Sequence, residues 1–335
     1  MVISLPFVNE SAIASPAVIL AIAVLLDALI GDPWGWPHPV QAMGCFIQLY
    51  VRVTQKLTQS PALLRMAGVV LGLFTVIGSG FIGWGIVAIA RLVHPVFSLM
   101  VASVLLASCL AERSLRDAAK DVLTPLQTHD LDTARSRLQR YVGRDTDALS
   151  PEEIYRAVFE TVSENATDGV MAPLFYGIVG ALTPVGSVPI ALAYKAASTL
   201  DSMVGYRTEP YKHLGYFSAK MEDGLTWLPC RLTVLTLGLL SGRPRKVWRI
   251  CRRDAPQDPS PNAGWSECVY AAALKVQVGG SNTYGGRVIH KPKLGDRIHP
   301  ITAGTVNSAL ALTRRAVLIW LGLGILLIFA VTYSR

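Results

Sequence analysis

The sequence predicts an all-α, polytopic integral membrane protein with a re-entrant helical hairpin and cytoplasmic helical and loop regions. Three observations predict it. Hydrophobic residues make up 51% of the chain and charged residues only 16%, with a mean hydropathy of +0.40, which is far from the balance of soluble domains. The stretches 66–90, 92–111 and 316–333 carry no charged residue over about the 20 residues that a helix needs to cross a bilayer. Another uncharged run, 170–194, is interrupted by Pro173, Pro184 and Pro189. The whole chain, 1–335, is expected to form one membrane-embedded domain with cytoplasmic segments at about 112–165 and 241–313.

The first apolar segment, 11–31, is broken only by Asp27. Its flank lacks a basic residue and no A-x-A site follows, so a retained helix is expected rather than a signal peptide. "DALIGDPWGWPHPV" then sets Asp27, Asp32 and His38 among prolines that fix the backbone where the helix ends; a lone histidine in such a setting reads as structural. Arg52, Lys56 and Arg65 follow, against a flank whose one charge is Glu10, and the positive-inside rule places them in the cytoplasm.

Two spans, 66–90 and 92–111, would then lead out and back. Residues 112–165 are soluble in character, with helices expected around 114–123, 133–141 and 151–164. The last opens "SPEE": Ser150 as N-cap, Pro151 at the first helical position and Glu153 completing a capping box. On this helix Ile154, Val158 and Val162 form an apolar stripe. Glu160, Glu164 and, if the turn continues, Asp168 form an acidic one at i, i+4, i+8. Three like charges in a row call for a cation, and hydrated Mg²⁺ suits one or two carboxylates plus phosphates; a solvated acidic helix end explains the same stripe.

The halves of 170–194 are too short to cross about 30 Å of hydrocarbon, so a hairpin buried against protein is expected. On its far side "AYKAASTLDSMVGYR" places Lys195, Ser198, Thr199 and Ser202 on one helical face, with Asp201 adjacent. Ionisable groups leaving an apolar region tend to be functional or paired. Arg207, Lys212 and Lys220 follow in an expected tyrosine-rich loop with Glu222 and Asp223. Salt bridges among these residues and a site for phosphate and metal are both open. Segment 232–241 is too short to span and should pack in the same manner as the hairpin.

Between 241 and 300 there are 11 Lys and Arg against four acids, a strong cytoplasmic signal. Here "RRDAPQDPSPNAGWSE" and "VGGSNTYGGRV" bring glycines and asparagines whose exposed N–H groups can form an anion-binding nest. The second is not a Walker A loop, no strand pattern precedes it, and glycine-rich turns are often only turns. The final helix would leave the C-terminus outside. Five cysteines lack C-x-x-C or paired Cys/His spacing, so packing is expected rather than disulfides or zinc. The net charge of +8 suits membrane topology or anionic ligands; nucleic acid is disfavoured because the basic residues lack aromatic interleaving.

Taken in order, "LLDALIGDPWGWPHPVQAMG", "SENATDGVMAPLFYGIVGA", "AYKAASTLDSMVGYR", "FSAKMEDGLTWLPCRLT", "RDAPQDPSPNAGWSE" and "GGSNTYGG" closely resemble the CobD/CbiB family of cobalamin biosynthesis. The resemblance covers roughly residues 20–320, with Ser198 and Ser281 as small departures. It implies an adenosylcobinamide-phosphate synthase of the inner membrane, and the topology read above would keep its dense polar motifs on the cytoplasmic face. Such an enzyme joins the ring D propionate of adenosylcobyric acid to the amine of (R)-1-amino-2-propanol phosphate, or aminopropanol, with ATP and Mg²⁺. Other late cobalamin-pathway enzymes would be further partners.

An acyl phosphate would activate the carboxylate, which calls for metal, cations and a base. On that footing Glu164, Asp168, Asp201 and Asp223 would bind metal or act as base. Lys195, Arg207 and Lys220 would neutralise phosphate. Asn262, Asn282, Gly279, Gly280, Gly285 and Gly286 would cradle a phosphate or corrin amides, and Asp27 and Asp32 would cap the cavity. Two rivals stay open: an AmpE-like membrane sensor or scaffold, and a transporter, prompted by the broken helices and Asp27.

Overall fold

The computed structural model describes residues 15–32, 35 and 37–334. The N-terminal flank, the first residues of segment 11–31, and Pro33, Trp34 and Trp36 lie outside the described residues. The protein is predominantly helical. Among the described residues, α3 (Pro61–Val93) and α13 (Ala303–Tyr333) are long and apolar enough to cross a membrane. Both expose rows of large apolar side chains, Phe74, Phe81 and Trp84 on α3 and Leu323, Leu326 and Phe329 on α13. Surfaces of that kind belong in lipid.

Two expected spans are shorter than anticipated. The described helix α1 (Pro16–Leu29) has 14 residues, about 21 Å of rise and short of a bilayer. Segment 92–111 is split: α3 runs on to Val93, and α4 (Pro95–Ala107) starts anew because Pro95 cannot continue a helix. His94 caps it, Nδ1 accepting from the Val96 N–H at 3.1 Å. Counting α4 with α5 (Glu112–Gln127) as one broken span gives a third crossing by length and composition.

The chain forms two compact units. In the first (1–111, 173–224, 320–335), α2 (Pro39–Leu57) packs with α3 and α9 (Ser187–Val204) around Ile47, Val51, Leu64, Leu71, Leu200 and Val204. The proline-broken run is a helical hairpin, as expected. Helix α8 (Ala172–Ala181) and α9 flank a break at 182–186, and the rings of Tyr176 and Tyr194 stack across it at 4.8 Å. Gly186 has φ +93. A Cβ at Gly180 would overlap the Gly186 carbonyl, so the turn closes only over glycine.

Where a loop and a short apolar segment were expected, α10 (Tyr216–Leu240) is continuous. Its buried stripe starts polar, with Ser218, Glu222 and Thr226, before Cys230, Val234 and Leu237. Hydrophobic periodicity alone does not find a helix that buries polar groups.

In the second unit (112–172, 225–319), α6 (Leu131–Leu138) and α7 (Pro151–Ala166) match the expected soluble helices. The capping box is formed as read, with Ser150 Oγ and Glu153 exchanging hydrogen bonds with each other's N–H. Ile154, Val158 and Val162 are buried. After α7 the chain makes a π turn, Thr167–Met171, a feature frequent at functional sites. Helices α11 (Pro244–Asp254) and α12 (Ala263–Leu274) follow.

The glycine-rich stretch corrects the sequence reading. It is a β-hairpin, β1 (Val278–Tyr284) paired antiparallel with β2 (Arg287–Leu294). Gly285 and Gly286, both at positive φ, make the two-residue loop that such a hairpin requires.

Of the five cysteines four are buried, as packing predicts, while Cys45 is exposed; all are free thiols.

Candidate functional site

In the first unit the end of α9, the connection to α10 and the start of α10 enclose a cavity of about 450 Å³. Arg65, Arg207, Lys212 and Lys220 line it, with His213 and one carboxylate, Asp223. Lys220 Nζ pairs with Asp223 Oδ2 at 2.9 Å, and the Arg65 guanidinium lies 5.9 Å from the Tyr216 ring centroid. His213 Nδ1 is buried without a hydrogen-bond partner among the described residues. Concentrated cations in a concave site favour an anion with several negative oxygens, such as a phosphate.

Close backbone contacts build this wall. A Cβ at Gly68 would overlap the Leu214 carbonyl, and one at Gly215 the Val204 carbonyl. The Gly215 N–H donates to the Tyr211 carbonyl at 2.7 Å and the Gly205 N–H to the Asp201 carbonyl at 2.8 Å. Gly205 lines the cavity, and a Cβ there would overlap Asp201 Oδ1. Asp201 therefore stands directly behind the wall.

Lys195 lines a different cavity of the same unit, about 500 Å³, with Asp32, His38, Gln41 and Ser108 against apolar walls from Leu26, Ile30 and Val104. His38 Nε2 meets Asp32 Oδ1 at 3.1 Å, while its Nδ1 accepts the Val40 N–H at 3.2 Å and caps α2. His38 thus caps α2 and also lines the cavity. Asp27 is buried on α1. Among the described residues the Lys195 ammonium has no hydrogen-bond or ion-pair partner.

The second unit gathers the remaining residues around α7. Glu160 is 1% exposed and Arg144 5%, and they form a buried ion pair. Glu160 Oε1 accepts the Gly279 N–H at 2.9 Å. Arg144 donates to Asn282 Oδ1 at 2.9 Å, and Arg156 donates to the same oxygen at 3.0 Å and to the Gly279 and Ser281 carbonyls. At the hairpin tip, the Gly285 and Gly286 N–H groups donate to the Asp145 carboxylate at 2.9 and 2.8 Å. The expected anion nest exists, and its anion is the chain's own Asp145. Gly280, at φ +95, shapes the bulge that opens β1.

Beside this latch lies a group of carboxyls. Glu164 is half-buried, Glu267 is buried, and Lys291 Nζ stands 3.7 Å from Glu267 Oε1. Burial raises the pKa of Glu267 well above the carboxylate range; Lys291 opposes the shift, and Glu164, Glu160 and Asp258 add to it. Glu164 is raised too, first by burial and then by Asp258 and Glu160, with Lys291 and Arg144 opposing. Burial works against the charge of Lys291, yet Glu267, Glu164 and Glu160 outweigh it and hold the ammonium protonated. Asp168 is half-buried in the π turn. Thr167 Oγ1 there meets Ser266 Oγ at 2.6 Å. Asn262 is buried at the start of α12, its Oδ1 accepting from Arg231 at 3.2 Å.

Among the described residues, no group of three or more His, Cys, Asp or Glu side chains is arranged to hold a metal ion. Glu164 and Asp168 belong to one unit, and Asp201 and Asp223 to the other. The cationic cavity joins Arg207, Lys220 and Asp223 as the sequence suggested, but not Lys195. Sequence reasoning missed Arg65, His213, Arg144, Arg156, Glu267 and Lys291. In the sequence Arg65 reads as a topology signal, and Lys291 sits on a strand whose hairpin is signalled only by the Gly-Gly between alternating residues.

A family model described as "CobD/Cbib protein" matches residues 20–313. The chain is 50% identical to the cobalamin biosynthesis protein CobD of Synechocystis sp. over 315 residues, 94% of this chain and 92% of the relative. It is 42% identical to the cobalamin biosynthesis protein CbiB of Salmonella typhi over 295 residues, 87% and 91% of the two chains. The CobD of Citrobacter koseri is 40% identical over the same shares. No solved structure matches.

Proposed function

The chain belongs to the CobD/CbiB family, and from that premise we propose that it works in cobalamin biosynthesis as adenosylcobinamide-phosphate synthase. It would lie in the inner membrane with its site on the cytoplasmic face. Its substrates are adenosylcobyric acid, (R)-1-amino-2-propanol phosphate or the free amino alcohol, and ATP. The observation that carries this reading is the cavity of Arg65, Arg207, Lys212 and Lys220, whose charge suits a phosphate-bearing reactant.

In the proposed reaction a propionate oxygen attacks the γ-phosphorus, ADP leaves, and an acyl phosphate forms. The amine nitrogen then attacks the acyl carbon, the C–O bond to phosphate breaks, and the ammonium proton passes to a base. Arg207, Lys212 and Lys220 would hold phosphate oxygens and offset the charge that develops on them. Asp201, next to Gly205 of the lining, would act as that base. Lys195 would steady a substrate anion from its own cavity.

Magnesium usually needs one or two protein carboxylates beside the phosphates. Asp223, the one carboxylate in the lining of this cavity, would hold it, and it would neutralise phosphate charge. The N–H groups of Gly279, Gly285 and Gly286 and the side-chain oxygens of Asn262 and Asn282 already bond within the protein, which suits a structural part, while Asn282 Nδ2 is buried without a hydrogen-bond partner among the described residues.

The test is purified full-length protein with adenosylcobyric acid, the amine phosphate and Mg-ATP, followed by mass spectrometry. ATP-dependent adenosylcobinamide phosphate is expected. No product beside an active control enzyme would overturn the ligase reading, and an unchanged KM for ATP in Arg207→Gln/Lys220→Gln would remove the cavity's role.

A further inference from the structure

Helix α11, in the second unit, has two unlike faces. Val247, Ile250 and Cys251 are buried, while Arg245, Lys246, Trp248, Arg249 and Arg252 are exposed. Arg253 is tied to Asp254 and Asp296. The other four cations have no hydrogen-bond or ion-pair partner among the described residues. Like charges crowded on three turns of helix repel one another unless an external anion answers them.

The neighbouring surface is apolar. Gly238 of α10 packs against Val247 and Pro244, and on that same helix Leu235 and Leu239 are 54% and 61% exposed. Trp248 is 44% exposed within the basic face, its ring 5.5 Å from that of Trp265. A basic face carrying a tryptophan, next to exposed leucines, fits the boundary between headgroups and acyl chains. A soluble acidic partner would use the cations but leave the leucines in water. The unit also includes the start of the uncharged run of α13, Ala316 through Ile319.

We propose that α11, through Arg245, Lys246, Arg249, Arg252 and Trp248, is an interfacial helix that binds the anionic phospholipid headgroups of the membrane holding α3 and α13. This assignment does not depend on the ligase reading.

The test uses full-length protein in nanodiscs of phosphatidylcholine, alone or with phosphatidylglycerol, and follows hydrogen exchange of residues 244–254. Each basic residue near an anionic surface strengthens attachment by about fivefold. Exchange should therefore slow at least about tenfold with phosphatidylglycerol, and salt near 1 M, where the Debye length is about 3 Å, should remove most of the effect. The variant Arg245→Gln/Lys246→Gln/Arg249→Gln/Arg252→Gln should lose the lipid response while exchanging like wild type in pure phosphatidylcholine, which confirms that its helix is intact. Equal protection in both lipids, or a lipid response kept by the variant, would overturn the proposal. Protection by soluble heparin without any response to phosphatidylglycerol would overturn it in favour of a soluble polyanionic partner.

Discussion

Replacing Arg144 by methionine should loosen the β-hairpin against α7, leaving it the hydrogen bonds of Arg156. The side chain spans two attachments, Nη2 to the Glu160 carboxylate and Nη1 to Asn282 Oδ1 at 2.9 Å. Both ion-pair side chains are nearly dry, at 6% and 2% exposure. Methionine fills much of the same space, so the loss is electrostatic: Glu160 keeps the Gly279 N–H but becomes a buried anion without its ion-pair partner. Breaking a buried pair from one side costs about 3–5 kcal/mol. At about 1.4 kcal/mol per tenfold, amide exchange in 278–284 should speed up by roughly two to three and a half orders of magnitude. Hydrogen exchange reads that local opening directly.

Arg144→Met/Glu160→Gln should recover most of the protection, because glutamine is neutral and still accepts from Gly279. An acceleration below about tenfold, or a double variant no better than the single, would refute the view that this ion pair latches the hairpin. It would also reopen Asn282 and Gly279 as ligand-binding groups.

Gly68→Ala should lower affinity for ATP at the cationic cavity and reduce thermal stability by about 1–3 kcal/mol, since the new Cβ overlaps the Leu214 carbonyl; Gly78→Ala on the same helix, where a Cβ meets nothing within 4 Å, should leave binding unchanged. For Glu267, a folded-state pKa raised above the unfolded one means stability that is full below the usual carboxylate pKa and is lost as pH rises through the raised value. Glu267→Gln should flatten that decline, so melts at pH 5 and pH 8 should show its advantage over wild type growing with pH. Ser150→Ala removes half of the capping box and should cost about 1 kcal/mol, read by faster exchange in the first turn of α7.

The parts of the fold legible in the sequence are those in which one local rule acts alone. Long charge-free runs located α3 and α13, spaced prolines located the hairpin of α8 and α9, and "SPEE" located the start of α7 to the residue. The parts that were obscure are those in which two rules compete. In α10 the buried stripe begins with Ser218, Glu222 and Thr226, so polarity suggested a loop where the backbone is helical. In "VGGSNTYGG" the glycines that look like ligand-cradling turns are a bulge and a hairpin tip, and their donors face Glu160 and Asp145.

The same competition explains why the acidic stripe of α7 divides. Glu160, Glu164 and Asp168 share a spacing, yet each meets a different field: Glu160 is neutralised by Arg144, Glu164 is raised by burial among other carboxyls, and Asp168 is carried into the π turn. A metal shared by all three would need them on one face with their charges uncompensated, and Arg144 already supplies the cation that the stripe called for. The cationic cavity is the opposite case. Four Lys and Arg side chains there meet Asp223 as the one carboxylate in the lining, and that excess positive charge is what a phosphate-bearing substrate would satisfy.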